Sequence, residues 1–150
     1  MRFPPIEELV PHAAGMLLLD RVLEHDSDAT RCAVRVDDSV LFRSDDGSVP
    51  SWLAVEYMAQ CVAAHAGLLA RARGEKPKPG LLLGSRRLVL RRPTFESGGL
   101  LEVRARHGTG SSAMAFHCEV REREGTEPLV EGRLNVYQPE SLAALEPERE

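Results

Sequence analysis

The sequence predicts an α+β domain in which one long helix, enclosed by protein, packs on one face of a curved antiparallel sheet. Three observations carry this. The nineteen residues from Trp52 to Ala70 hold only Glu56, Gln60 and His65 as clearly polar side chains, and a helix apolar almost all round is one surrounded by other elements. Several other segments alternate apolar and polar residues with the period of two that marks a strand with one buried face. Their order along the chain is strand, strand, helix and then four strands, with turn residues between them.

Met16 to Glu24 is an apolar stretch that fits a strand lining the core, and Thr30, Cys32, Val34 and Val36 supply the buried face of a second. The helix follows. Pro50 suits its first turn, Ser48 or Ser51 is placed to cap it, and Arg71 and Arg73 followed by Gly74 suit its C-terminal end. Gly74 to Gly80, reading Gly-Glu-Lys-Pro-Lys-Pro-Gly, is a loop. Leu81 to Arg92 is an extended run that stops at Pro93, and Leu101, Val103 and Ala105 mark the next strand. Met114, Phe116, Cys118 and Val120 then alternate with Ala115, His117, Glu119 and Arg121. Val130, Gly132, Leu134 and Val136 alternate with Glu131, Arg133 and Asn135, and Gly125 between these last two strands suggests a hairpin. No internal repeat is present, so residues 1–140 read as a single domain, with an acidic tail expected to fray over 141–150.

Composition narrows the classes. With 43% hydrophobic and 28% charged residues the chain has an ordinary globular make-up, and a net charge of −4 speaks against a nucleic-acid partner. Cys32, Cys61 and Cys118 lie far apart with no Cys-x-x-Cys pair and no Cys/His cluster at zinc-ligand spacing. They read as buried thiols in a reducing compartment, with no metal, and the expected location is the cytoplasm. Met1 to Val10 carries Pro4, Pro5, Glu7 and Glu8 where an export signal needs a basic region and an apolar run. Trp52 to Ala70 has the length of a membrane span, but it is Ala-rich and a glutamate near its start is costly in lipid, so no span is expected.

The motifs then take on a pattern. Pro11-His12 is followed by Met16-Leu17-Leu18-Leu19-Asp20-Arg21-Val22, then Val49-Pro50, Val55-Glu56-Tyr57-Met58-Ala59-Gln60, Gly84 and Arg91-Arg92-Pro93. Over roughly residues 8 to 137 this resembles the hotdog-fold 3-hydroxyacyl-ACP dehydratases of fatty-acid synthesis. It is more similar still to the dehydratase-like hotdog proteins of aryl-polyene gene clusters, through Leu17 to Arg21, Val49 to Trp52, Glu56 to Gln60, Leu82 to Arg87 and Leu134 to Pro139. The resemblance implies a hotdog fold, a homodimer or a heterodimer with another hotdog subunit, and an acyl carrier protein as partner. It implies no bound cofactor, since the substrate arrives on the phosphopantetheine of the carrier or on coenzyme A.

One departure stands out. The fatty-acid dehydratases use a histidine in a Gly-His-Phe-Pro stretch ahead of the helix, paired with the helix carboxylate of the other subunit. Here that region reads Leu41-Phe42-Arg43-Ser44-Asp45-Asp46, and no histidine occurs between His25 and His65. Dehydration of a 3-hydroxyacyl thioester needs a base for the proton alpha to the carbonyl, an acid for the leaving hydroxyl, and donors for the carbonyl oxygen. Glu56 is the matched acid–base residue, since burial raises a carboxyl pKa toward working pH. His12, the one histidine inside a matched motif, is the candidate for the second role. Gln60, one turn on, is expected to orient Glu56, and backbone amides near Val49, Pro50 and Trp52 to polarise the thioester.

Each reading has a plainer alternative. Glu56 could simply pair with an arginine such as Arg87 or be hydrogen-bonded in the core, and His12 could tie the N-terminal loop to the sheet. His65 reads as packing or a dimer contact, His25, His107 and His117 as side chains that meet water, and Cys61 as a small core residue. Asp45 and Asp46 read as loop residues that could stand near the vacant position. Arg86, Arg87, Arg91 and Arg92 either attract phosphopantetheine or an acidic carrier, or are solvated strand charges. Three functional classes follow: a dehydratase with an altered dyad, a non-catalytic hotdog subunit paired with an active homologue, and a thioesterase or acyl-thioester binding protein.

Overall fold

The computed structural model describes residues 2–10, 17–36, 43–76, 81–108 and 114–137. The expected tail at 141–150, the loop at 77–80 and His12 lie outside the described residues. A short helix α1 (Ile6–Leu9) precedes strands β1 (Leu19–His25) and β2 (Ala29–Arg35). β3 (Val49–Pro50) leads through a 3-10 turn at Ser51–Leu53 into α2 (Ala54–Ala72). There follow β4 (Leu81–Leu90), β5 (Thr94–Phe95), β6 (Leu100–His107), β7 (Met114–Glu122) and β8 (Pro128–Tyr137).

Six strands form one sheet in the order β1-β2-β6-β7-β8-β4, antiparallel at every junction, and β3 pairs with β5 in a separate two-residue ladder. α2 packs on β1, β2, β6 and β7. This is the hotdog arrangement the resemblance implied. Ser51–Ala72 is long and apolar enough to cross a membrane, and here it is the core helix, with Tyr57, Met58, Cys61, Val62, Ala64 and Leu68 buried against the sheet. Its other face is half-open: Val55, Glu56, Ala59, Ala63 and Ala66 recur at helical spacing, with Trp52 exposed at their head.

Three local expectations are corrected. Trp52 stands in the 3-10 turn, not in α2, because Pro50 is extended (φ −66°, ψ 142°) and the backbone tightens before the α-helix begins. Neither Ser48 nor Ser51 caps the helix. Ser48 instead donates its hydroxyl to Asp46 Oδ1 at 2.6 Å, and the Ser51 amide donates to Pro93 O at 2.9 Å. The run from Leu81 is one strand broken by irregularities between Leu82 and Gly84 and between Arg86 and Val89, and Arg87 takes φ 54° in the second. The C-terminal end of α2 behaves as expected: Gly74 adopts φ 71° and the Glu75 amide donates to Ala70 O at 2.9 Å.

Candidate active site

The site is built on α2 around a carboxylate and an amide one turn apart. Glu56 is half-buried on the open face of the helix, and Gln60 is fully buried beside it. The Gln60 side chain uses both ends. Its Nε2 donates to Glu56 Oε1 at 3.0 Å, and its Oε1 accepts the Leu18 amide at 2.9 Å. A buried primary amide satisfied in this way holds a fixed orientation, so Glu56 is aimed and not free to sweep. The same contact fastens the backbone entering β1, which carries the matched Leu17 to Arg21 motif, to the carboxylate. His12 lies six positions upstream of Leu18.

The surroundings of Glu56 are only partly as the sequence suggested. Val49 is buried in the ladder opposite Phe95, and Pro50 is half-buried opposite Thr94. Because the Ser51 amide is spent on Pro93 O and Pro50 has no N–H, residues 50 and 51 offer no backbone donor to a thioester. Trp52, 49% exposed, stands four residues before Glu56, in the 3-10 turn that leads into α2. Arg87 is not brought to Glu56: it lies with Arg86, Arg104, Arg106, His117 and Arg133 along a groove on the face of the sheet away from α2. The bulge at Arg87, invisible in the alternation pattern, is the reason. Arg91 and Arg92 are paired with Glu131 at 3.2 Å and Glu122 at 2.8 Å.

The other singled-out residues are accounted for. Asp46 accepts the Ser48 amide and hydroxyl, and those bonds hold its carboxyl below the usual range. His65 is buried on the far side of α2, with Nδ1 2.8 Å from Thr30 Oγ1; His25, expected to meet water, is half-buried against the same hydroxyl at 2.7 Å. His107 and His117 are exposed. All three cysteines are free and buried, burial pushes the Cys118 thiol up to about 12 and raises Cys61 strongly, and the Cys61 thiol donates to Thr30 O at 3.3 Å. One feature escaped the sequence reading. Tyr57, next to Glu56 in the chain, is fully buried and stacked on Phe95, and its hydroxyl has no partner among the described residues. Burial lifts its pKa to about 12, so it stays protonated. A lone hydroxyl in the apolar Val55 to Ala59 stretch was the available signal.

The ApeP-like family, described as ApeP dehydratase, matches residues 4–146. The dehydratase heterocomplex ApeI:P from Xenorhabdus doucetiae contains a chain 34% identical to this one, with a TM-score of 0.86 over 96% of this chain and 98% of that one. The chain belongs to the ApeP-like dehydratase family. This ApeP-like chain is therefore a hotdog dehydratase of the aryl-polyene type that its motifs resembled. More distant structures share the fold alone. A protein from Pyrococcus horikoshii is 13% identical with a TM-score of 0.64, covering 95% of this chain and 99% of its own. A mutant thioesterase from Pseudomonas aeruginosa is 16% identical with a TM-score of 0.63, covering 91% of this chain and 94% of its own. No curated protein matches the ApeP-like chain.

Proposed function

We propose that this chain supplies the carboxylate half of a 3-hydroxyacyl thioester dehydratase, and that a second hotdog subunit supplies the imidazole half. The observation that carries it is Glu56, aimed by Gln60 at 3.0 Å on the half-open face of α2. The histidines at 25, 65, 107 and 117 sit on the far side of the helix or on the sheet, and the stretch ahead of α2 contains none. The heterocomplex formed by the Xenorhabdus doucetiae relative supports pairing with a different hotdog chain.

In this reading the partner's imidazole removes the proton alpha to the thioester carbonyl. The C–O bond at the beta carbon then breaks, and Glu56 in its acid form protonates the departing hydroxyl, which leaves as water. Gln60 keeps the carboxyl pointed at the beta oxygen. The substrate is carried on the phosphopantetheine arm of an acyl carrier protein, with coenzyme A thioesters as shorter surrogates, and the chain needs no cofactor of its own.

The test is absorbance of the enoyl product from a 3-hydroxyacyl thioester, with the chain purified alone and co-expressed with a second hotdog subunit. Activity is expected only in the pair, and Glu56→Gln is expected to lower it by roughly 10²- to 10⁴-fold with the pair intact. Equal activity of wild type and Glu56→Gln overturns the assignment. Full activity of the chain alone, lost in His12→Ala at unchanged melting temperature, moves the imidazole role to His12. Release of free thiol without enoyl product makes the protein a thioesterase.

A further inference from the structure

The face of the sheet away from α2 carries a charge row that neither the core nor Glu56 uses. Arg106 of β6, His117 of β7, Arg133 of β8 and Arg86 of β4 are successive cross-strand partners. Four basic side chains thus stand in line across four strands, spanning roughly 14 Å at the usual strand spacing. Arg87, thrown out by the bulge, and Arg104, two residues from Arg106, flank the line, and all six border one groove of about 540 Å³.

Among the described residues no carboxylate forms an ion pair with this row. Arg133 and Arg86 are like charges directly opposed on neighbouring strands, an arrangement that destabilises a sheet. Carboxylates are plentiful, with 23 acidic residues against 19 basic ones, yet the two at the groove are committed elsewhere. Glu119 accepts from Arg121, and Glu131 from Arg91 at 3.2 Å. Among the described residues Arg86, Arg87, Arg104, Arg106 and Arg133 form no ion pair with a carboxylate. Arg133 Nε is also buried with no hydrogen-bond partner, a donor shielded from water and unsatisfied.

We propose that this row docks an acidic helix of a partner protein. Carboxylates at i, i+4 and i+7 on one helix face recur at about 5–6 Å, close to the spacing of the row, and roughly nine helical residues cover its length. The groove is lined by arginine, histidine, cysteine, glutamate and glycine, with no tryptophan, tyrosine or phenylalanine platform for successive nucleobases, and its two rim carboxylates repel a phosphate backbone. A second copy of this chain fits poorly, because α1 is four residues long and its Glu8 is already paired with Arg71. The site lies across the sheet from Glu56 and stands whether or not the dehydratase dyad is as proposed.

The test uses the full-length chain and a fluorescent helical peptide of about 18 residues with glutamates along one face. Binding is read by anisotropy. Wild type is expected to bind, Arg106→Gln and Arg86→Gln each to weaken binding about three- to tenfold, and added salt to weaken it further. The melting temperature of Arg86→Gln is expected to hold or rise, since the like charge directly opposed to Arg133 is gone. A fall in melting temperature with unchanged binding makes the row structural and overturns the proposal. So does equal binding of a peptide with the same glutamates scattered around its helix, or tighter binding of a single-stranded oligonucleotide. Binding that appears only after residues 141–150 are deleted assigns the groove to the chain's own acidic terminus and overturns it as well.

Discussion

At the start of β2 a single hydroxyl serves two imidazoles. Thr30 Oγ1 lies 2.8 Å from His65 Nδ1 and 2.7 Å from His25 Nδ1, and with one proton it donates to one ring and accepts from the other. Two neutral rings in complementary tautomers satisfy it. Burial, helped by the neighbouring His25 and His107, pushes the His65 pKa down to about 4 from 6.5, although Asp26 and Asp28 pull the other way. The unfolded chain therefore takes up a proton between pH 6.5 and about 4 that the native state refuses. Stability from this group is full above pH 6.5 and is lost as the pH falls toward 4. A series of thermal melts from pH 7 to 4.5 is expected to show a falling Tm, with a shallower slope in His65→Asn, whose amide still reaches Thr30. Identical slopes in the two proteins would sink the idea. In the sequence His65 was legible only as a polar residue on a buried helix; its partner, 35 positions away, is chosen by the packing of α2 on β2.

Among the elements, α1 is seated on α2 by the absence of a side chain. A Cβ at Gly67 would meet Leu9 O at 2.8 Å and Leu9 Cα at 3.3 Å, and this close approach lets Ile6, Leu9 and Val10 bury against the helix. Gly67→Ala is expected to destabilise by about 1–3 kcal/mol, seen as a lower urea midpoint at unchanged slope. Were the midpoint unchanged or higher, the gain in helix propensity would outweigh the clash and the close approach would not matter. A second glycine explains a puzzle in the alternation. Gly132 occupies a core-facing position of β8, where the pattern calls for a large apolar residue, because Leu88 fills that space: its Cδ1 would lie 3.1 Å from a Cβ there. Leu88 points inward only because the bulge at Arg87 reverses the facing of β4. Long, regularly alternating strands such as β7 were readable one residue at a time. The two-residue ladder of β3 and β5 was not, since Val49–Pro50 and Thr94–Phe95 have no period of their own and exist by pairing across the chain.

At the scale of the whole molecule, one edge of the sheet and one face of the helix remain open together. β4 ends the six-stranded order, with Val89 and Leu90 exposed, and the half-open face of α2 is headed by Trp52. An unprotected edge strand is a template for pairing, so the chain is expected to sediment as a dimer at micromolar concentration, with itself or with a second hotdog subunit. Trp52 is the only tryptophan and is 49% exposed, which makes it a reporter. If pairing covers the Glu56 face, its emission shifts to the blue and acrylamide quenches it less when the partner is present. A dimer that leaves both readings unchanged would place the interface elsewhere and deprive Glu56 of a residue from across it.

By itself the sequence determined the fold class, the helix that carries Glu56 and Gln60, and the resemblance to aryl-polyene dehydratases. These rest on local pattern: the period of strands, an apolar helix and motifs short enough to be read along the chain. The tertiary structure alone decided which partners those residues meet. It sent Gln60 to Leu18 and Glu56, spent the Ser51 amide on Pro93, turned Arg87 to the far face and lined Arg106, His117, Arg133 and Arg86 into a row. Such contacts depend on strand register and on a single bulge, and a shift of one residue moves a side chain to the opposite face of the sheet.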